Sequence, residues 1–374
     1  MLQIQMDMRT GGVGSQASEA TAARKEGYAA ACTTGTAGDW VEVRSKEEIL
    51  ATLDARGRLD GMPFMPEMLR FCGQQFQVFK RAHKTCDTIS GAYTSRSVPE
   101  SLHLDLRCDG SAHGGCQAGC LLFWKGAWLK PVPATECVSH RKTPRPAGEV
   151  GCTEKALQAA TQHASAGPKP RYACQTTEVF SYSKPLPWWD ARQYVEDYTS
   201  GNISLKRLIQ GATFSTFMFA TQARRRTLGK PGRWLYDRIQ SILGGMPYPR
   251  STGIIPTGAV TPREDLGLQP GDLVRVKSLE AIQKTIDGSG RNRNMDFDAE
   301  LVPYCGKMFR VRTRVERFVD ERSGEMRSMK TPAVILEGVY CQSCYSKNRL
   351  FCPRSIYSWW REIWLERVPD GEAG

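Results

Sequence analysis

The chain has 374 residues, 40% hydrophobic and 24% charged, with 35 Gly and 21 Pro, a composition that excludes collagen-like, coiled-coil and fully disordered proteins and leaves room for two domains. Its 51 Lys+Arg against 39 Asp+Glu give a net charge of +12, which suits anionic ligands, nucleic acid among them, without singling one out. No apolar run reaches the roughly 18 residues that span a bilayer, and the opening MLQIQMDMRTGGVGSQ has the form of neither a signal peptide nor a lipidation site, so a cytoplasmic protein with no membrane partner is expected.

In chain order, residues 1–37, rich in Gly, Ala, Ser and Thr, read as a disordered leader. At Gly38 the text becomes GDWVEVRS, where apolar and polar residues alternate after a Gly-Asp turn, as in a half-buried strand. A short helix (KEEILATLD), a turn at Gly57, further strands (QFQVFKRA, then SLHLDLRC) and a closing helix follow to about residue 132. Residues 133–187, rich in Pro, Ala, Ser and Thr but holding Cys137, Cys152 and Cys174, predict an extended linker. Helical spacing marks 188–250 as a connector of two or three helices, and 251–270 as a second linker.

The order then repeats. GDLVRVKSLEAIQKTIDGSG from Gly271 matches GDWVEVRSKEEILATLDARG from Gly38 at an offset of 233, with 20 identities over the fifty ungapped pairs from Gly38 to Asp87. The offset holds at Cys72/Cys305 and Cys108/Cys341, then moves by three before Cys116/Cys352, Trp124/Trp360 and Trp128/Trp364. Two copies of one module, 38–132 and 271–368, are therefore expected. The fold class expected is mainly β with α, two small barrels or curled sheets joined by the linker and the helical connector. The G-D-x-V-x-V opening followed by short strands resembles KOW-type, SH3-like barrels, and the two-copy arrangement resembles uncharacterised bacterial proteins. The resemblance implies a small-barrel fold that binds protein or nucleic acid, and no reaction.

Thirteen cysteines without a secretion signal point to metal ligands or reactive thiols rather than disulfides. Three recur in both copies: Cys72/Cys305, Cys108/Cys341 and Cys116/Cys352. Zinc takes four borderline or soft ligands in a tetrahedron. The second copy adds Cys344, giving C-x-x-C and a candidate set Cys305, Cys341, Cys344 and Cys352. In the first copy the loop CDGSAHGGC supplies His113, giving Cys72, Cys108, His113 and Cys116. CDGSAH partly resembles the CDGSH iron–sulfur motif, though Ala112 changes the spacing and the upstream C-x-C is absent.

His83 and Cys86 stand only in the first copy, where the second has Glu316 and Val319. They are the candidate catalytic residues, beside a second metal or an iron–sulfur cluster on Cys86, Cys108, Cys116 and Cys120. Cys116, Cys120, Trp124 and Trp128 fall at helical spacing, which predicts one buried helix face. Trp40, Trp188 and Trp189 are expected in the core; on the surface they would suit base stacking. Two functions compete: a zinc-stabilised tandem-repeat binding protein or scaffold, whose ligand is a protein or an anion, and a metalloenzyme centred on His83, Cys86, Cys108, His113 and Cys116.

Overall fold

The alternating segments at Gly38 and Gly271 form the strands Trp40–Val43 and Leu273–Val276, with Val41, Val43, Val274 and Val276 all buried. The computed structural model in which they are seen describes residues 35–91, 94–132, 151–163, 169–223, 229–248, 252–346 and 348–369. Cys32, Cys137 and His140 lie outside these residues, as does the expected leader up to residue 34. Residues 35–37 belong instead to the folded body: Ala37 N–H donates to Ser200 O at 2.8 Å.

Each of the two strands lies between the same neighbours. Trp40–Val43 pairs antiparallel with Gln75–Gln77 and Leu129–Pro131, with Val41 opposite Phe76 and Pro131. Leu273–Val276 pairs with Met308–Val319 and Leu365–Arg367, with Val274 opposite Phe309 and Arg367. Ser45 and Ser278 cap the helices Lys46–Thr52 and Leu279–Gln283 by accepting from Glu48 N–H and Ala281 N–H. Short hairpins follow, then the 3-10 helices Pro66–Phe71 and Ala299–Tyr304.

The cores correspond as well. Trp128 and Trp364 donate their indole N–H to Thr52 and Thr285 at 3.1 Å each, and meet Phe64 and Phe297 edge-on at 5.0 and 5.2 Å.

The regions differ in the continuity of their sheets. In the second, five strands run in the order Tyr357–Arg361, Met326–Tyr340, Met308–Val319, Leu273–Val276, Leu365–Arg367. Val311, Val315 and Val319 give the third of these its buried face, the residue type that fits a pleated surface best. In the first, the same path is cut into the short strands Gln75–Gln77, Lys80–Arg81, Lys84–Cys86, Ser95–Ser97 and Ser101–His103. Among the described residues no sheet closes on itself: the fold is mixed α/β with many small antiparallel sheets rather than two closed barrels.

Three further expectations are corrected. The linker is in part a piece of the first region: Lys184–Leu186 pairs with Ser95–Ser97, and Cys152, Leu157, Val179 and Tyr182 enter the core with Val41 and Trp128. A few apolar residues in a Pro- and Ala-rich text bury enough surface to hold it there. The closing segment is not a helix, since Trp124–Lys125 is a strand and Gly126–Trp128 a 3-10 turn; both tryptophans are nevertheless buried. Residues 252–270 also join the folded body, with Leu268 inside the second core.

The connector carries the helices Arg192–Thr199, Leu205–Ala223 and Gly229–Ile242. Phe214 and Tyr236 from the last two pack on Cys344, Leu350 and Phe351. No helix among the described residues is long and apolar enough to cross a membrane.

Candidate metal centre

The loop from Cys108 to Cys116 is folded by its glycines. Gly110 has φ +71°, and a Cβ there would fall 2.1 Å from Cys116 O, a conformation and approach that only glycine tolerates. Its carbonyl accepts the N–H groups of His113 and Gly115, both at 2.9 Å, while its own N–H donates to Cys108 Sγ at 3.3 Å. The tight turn brings Cys108 and His113 to one side, facing Glu67 in the 3-10 helix Pro66–Phe71.

These three side chains offer one ligand atom each, all within 4.8 Å of one another. Glu67 Oε1 accepts from the Cys108 thiol at 3.0 Å. His113 Nε2–H donates to the backbone carbonyl of Ala173 at 3.1 Å, which leaves Nδ1 as the ring nitrogen turned toward Glu67. That Nδ1 lies 3.3 Å from Glu67 Oε1 yet makes no hydrogen bond, and Glu67 Oε2 makes none either. Glu67 is 6% exposed and His113 2%. Buried polar atoms without partners cost on the order of 1–3 kcal/mol each, and a cation held among these three side chains would supply the partner both lack.

Burial raises the Glu67 carboxyl, but His113 and Cys108 beside it more than offset that and hold it below the ordinary value. Burial, with Glu67 next to it, pushes the Cys108 thiol well up, so without a cation Cys108 is a protonated donor. A bound divalent metal would reverse this by displacing the thiol proton.

Cys108 and His113 also line a cavity of about 30 Å³ together with Cys116, Cys120, Cys174 and Glu321. Cys174 comes from the expected linker and Glu321 from the second region. The wall thus gathers four thiols, three from the stretch 108–120 and Cys174 from farther along the chain. Burial raises the thiols of Cys120 and Cys174.

Of the expected first set, Cys72 stands apart. It ends the 3-10 helix and packs on the first core, its thiol raised by burial and by Glu47. Glu67 takes the place expected of a third cysteine. Sequence reasoning missed it, although Glu67 and Glu300 form one of the identical pairs of the repeat.

The second region lacks the triad. Glu300 Oε1 accepts from Tyr345 N–H at 2.5 Å and from the Ser346 hydroxyl at 3.0 Å, and Ser346 stands at the position of His113. Among the described residues, no three of Cys305, Cys341, Cys344 and Cys352 bring their sulfurs within 4.8 Å of one another. Cys305 packs on the second core, its thiol pushed up to about 11 by burial. Cys341 Sγ lies 3.4 Å from Ser343 Oγ. Cys344 Sγ accepts from the Arg207 guanidinium at 2.7 Å, and Cys352 is buried.

His83 and Cys86 part company. His83 is buried against Asp197, 3.3 Å from its Oδ1, and burial together with Lys84 lowers its imidazole to about 4. Lys84 Nζ pairs with Asp197 Oδ2 at 2.5 Å and donates to Leu350 O at 2.9 Å. This cluster ties the first region to the helix Arg192–Thr199 and to the second region's loop.

The expectation that three tryptophans pack inside is corrected: Trp40 is 53%, Trp188 39% and Trp189 70% exposed. Comparisons with protein-family models, with curated proteins and with solved structures return no match, so the geometry of the site carries the functional argument.

Proposed function

We propose that this chain is a metal-stabilised binding or scaffold protein, built of two related, partly open SH3-like modules, in which Glu67, Cys108 and His113 hold a zinc-class divalent cation. The observation that carries the reading is the pair of unpartnered buried atoms, Glu67 Oε2 and His113 Nδ1. A carboxylate, a thiolate and an imidazole are the donor types of a zinc site. The cation would pin the loop 108–116 to the 3-10 helix at Glu67 and, through His113, to Ala173. The strand order of the second region, with a 3-10 turn joining its two edge strands, supports the SH3-like description.

A structural role is favoured over a metalloenzyme by size. The adjoining cavity of about 30 Å³ holds about one water molecule, whereas small-molecule sites run to several hundred Å³. The fourth ligand is then a water or one of the lining thiols. Elemental analysis of the purified chain tests the reading: one equivalent of zinc is expected, and its loss in His113→Ala. A folded, metal-free wild type that takes up no zinc on addition would show that His113 and Glu67 are simply a buried ion pair.

A second reading rests on the exposed tryptophans. Trp188 and Trp189 stand side by side with ring centroids 6.0 Å apart on a chain of net charge +12, which suits stacking of single-stranded nucleic acid. Binding of a single-stranded oligonucleotide should weaken steeply as salt rises; absence of binding at low salt would remove this reading.

A further inference from the structure

Among the contacts between the two regions, two junctions are made through equivalent parts. At one junction the first region's loop meets the second region's strand: Gln117 Oε1 accepts from Glu316 N–H and Arg317 N–H at 2.7 and 3.0 Å, and Val319 N–H donates to Cys116 Sγ at 3.3 Å. At the other, the second region's loop meets the first region's strand. There Lys84 donates to Leu350 O and Ser95 Oγ donates to Asn348 O at 3.3 Å, which brings the buried Cys352 beside the buried Cys86. In the repeat, Cys352 stands where Cys116 stands and Cys86 where Val319 stands. One junction sets a thiol against valine; the other sets a thiol against a thiol.

We propose that Cys86 and Cys352 form a redox-active dithiol, which a small hydroperoxide oxidises to a disulfide joining the two regions. The proposal is independent of the metal reading at Glu67. Both residues are buried, 5% and 3% exposed, so the oxidant must be of the size of hydrogen peroxide. The pair is chemically unequal. The neighbouring Cys352 thiol, helped by the guanidinium groups of Arg354 and Arg349, holds the Cys86 thiol down to about 6 against the opposing effect of burial. Burial and the neighbouring Cys86 push Cys352 well up. Cys86, the thiol held down, is the nucleophile of the pair, and Cys352, the thiol pushed up, is the partner that resolves it.

The chemistry balances. The Cys86 thiolate attacks one peroxide oxygen, the O–O bond breaks, and the departing hydroxide takes the Cys352 proton and leaves as water. The Cys352 thiolate then attacks the sulfur of the Cys86 sulfenic acid, forming the S–S bond and expelling hydroxide. Two electrons pass from the sulfurs to the peroxide. The disulfide would fasten residues 266 apart in the chain.

The test uses the full chain, freed of reductant, treated with stoichiometric hydrogen peroxide and digested without reduction. Mass spectrometry should find one peptide pair joined through Cys86 and Cys352, released by dithiothreitol, while Cys116 opposite Val319 stays free. In Cys352→Ser the same treatment should leave Cys86 as a sulfenic acid trapped by dimedone. Val319→Cys should add a second cross-link, to Cys116. Recovery of unlinked Cys86 and Cys352 peptides after other thiols have been consumed would overturn the proposal. So would linkage that appears only after stripping with a chelator, since the two sulfurs would then be metal ligands.

Discussion

The first and second regions share strand register, caps and aromatic core, and they part at the loop that follows Cys108 and Cys341. In the first, a buried carboxylate faces a thiol and an imidazole and has an oxygen to spare; in the second, the same carboxylate is satisfied by a backbone N–H and a hydroxyl. Serine in place of His113, in a loop three residues longer, accompanies the change from a carboxylate with a spare oxygen to a self-contained hydrogen-bond network. A repeat thus acts as its own control: what both regions keep belongs to folding, and what one alone has is where a site is to be sought.

The comparison is broken most severely at His113. His113→Ala should release the metal and destabilise the first region by more than about 5 kcal/mol, since metal affinity is folding free energy in such loops, while Ser346→Ala in the second region should cost only about 1 kcal/mol. Hydrogen exchange resolved by region measures both. A similar effect from the two changes would remove the proposed distinction.

Next come the shared tryptophans. Trp128→Ala and Trp364→Ala should each cost about 3–5 kcal/mol and agree within about 1 kcal/mol, because their burial, aromatic neighbours and threonine partners match. Urea denaturation of the two variants would reveal any hidden inequality between the cores.

Acid should separate the regions again. His103 is buried in the first, its Nδ1–H donating to Leu122 O at 2.8 Å, and burial lowers its imidazole from 6.5 to about 3. The buried aliphatics Ile335 and Leu336 occupy the matching stretch of the second. The unfolded chain therefore takes up this proton before the folded one does. The stability associated with a neutral His103 is complete above pH 6.5 and declines as pH falls toward 3, by about 2–3 kcal/mol on reaching about pH 4.5. Comparing the pH dependence of wild type with that of His103→Leu isolates this group; identical slopes would refute it.

The smallest effect sharpens the comparison at the caps. Ser45 makes a full capping box with Glu48, whereas Ser278 has alanine at the equivalent third helical position. Ser45→Ala should cost about 1 kcal/mol and Ser278→Ala about half that, a difference readable in thermal unfolding.

Much of the framework was legible because its causes are local. Alternation at Val41, Val43, Val274 and Val276 announced half-buried strands, and the duplicated spacing of Gly57 and Gly290 announced equivalent turns. Trp124 and Trp128 were expected inside and are, although the helix inferred from their spacing is a strand and a 3-10 turn; a period of four over so few residues does not separate these possibilities. Composition misled at 151–187, where Cys152, Leu157, Val179 and Tyr182 are too sparse to show periodicity yet suffice for docking. It misled in the opposite sense at Trp188 and Trp189, whose size suggested a core but which lie on the surface.

By itself the sequence determined the repeat, from matching text alone, and the strand faces and the inventory of soft ligands, which depend on residue type and on neighbours within one strand. Tertiary structure decided which ligands meet. Glu67 reaches Cys108 across 41 residues, Ala173 orients His113 across 60, and Cys86 finds Cys352 across 266. Such juxtapositions arise from the packing of separate elements, and no local period in the chain encodes them.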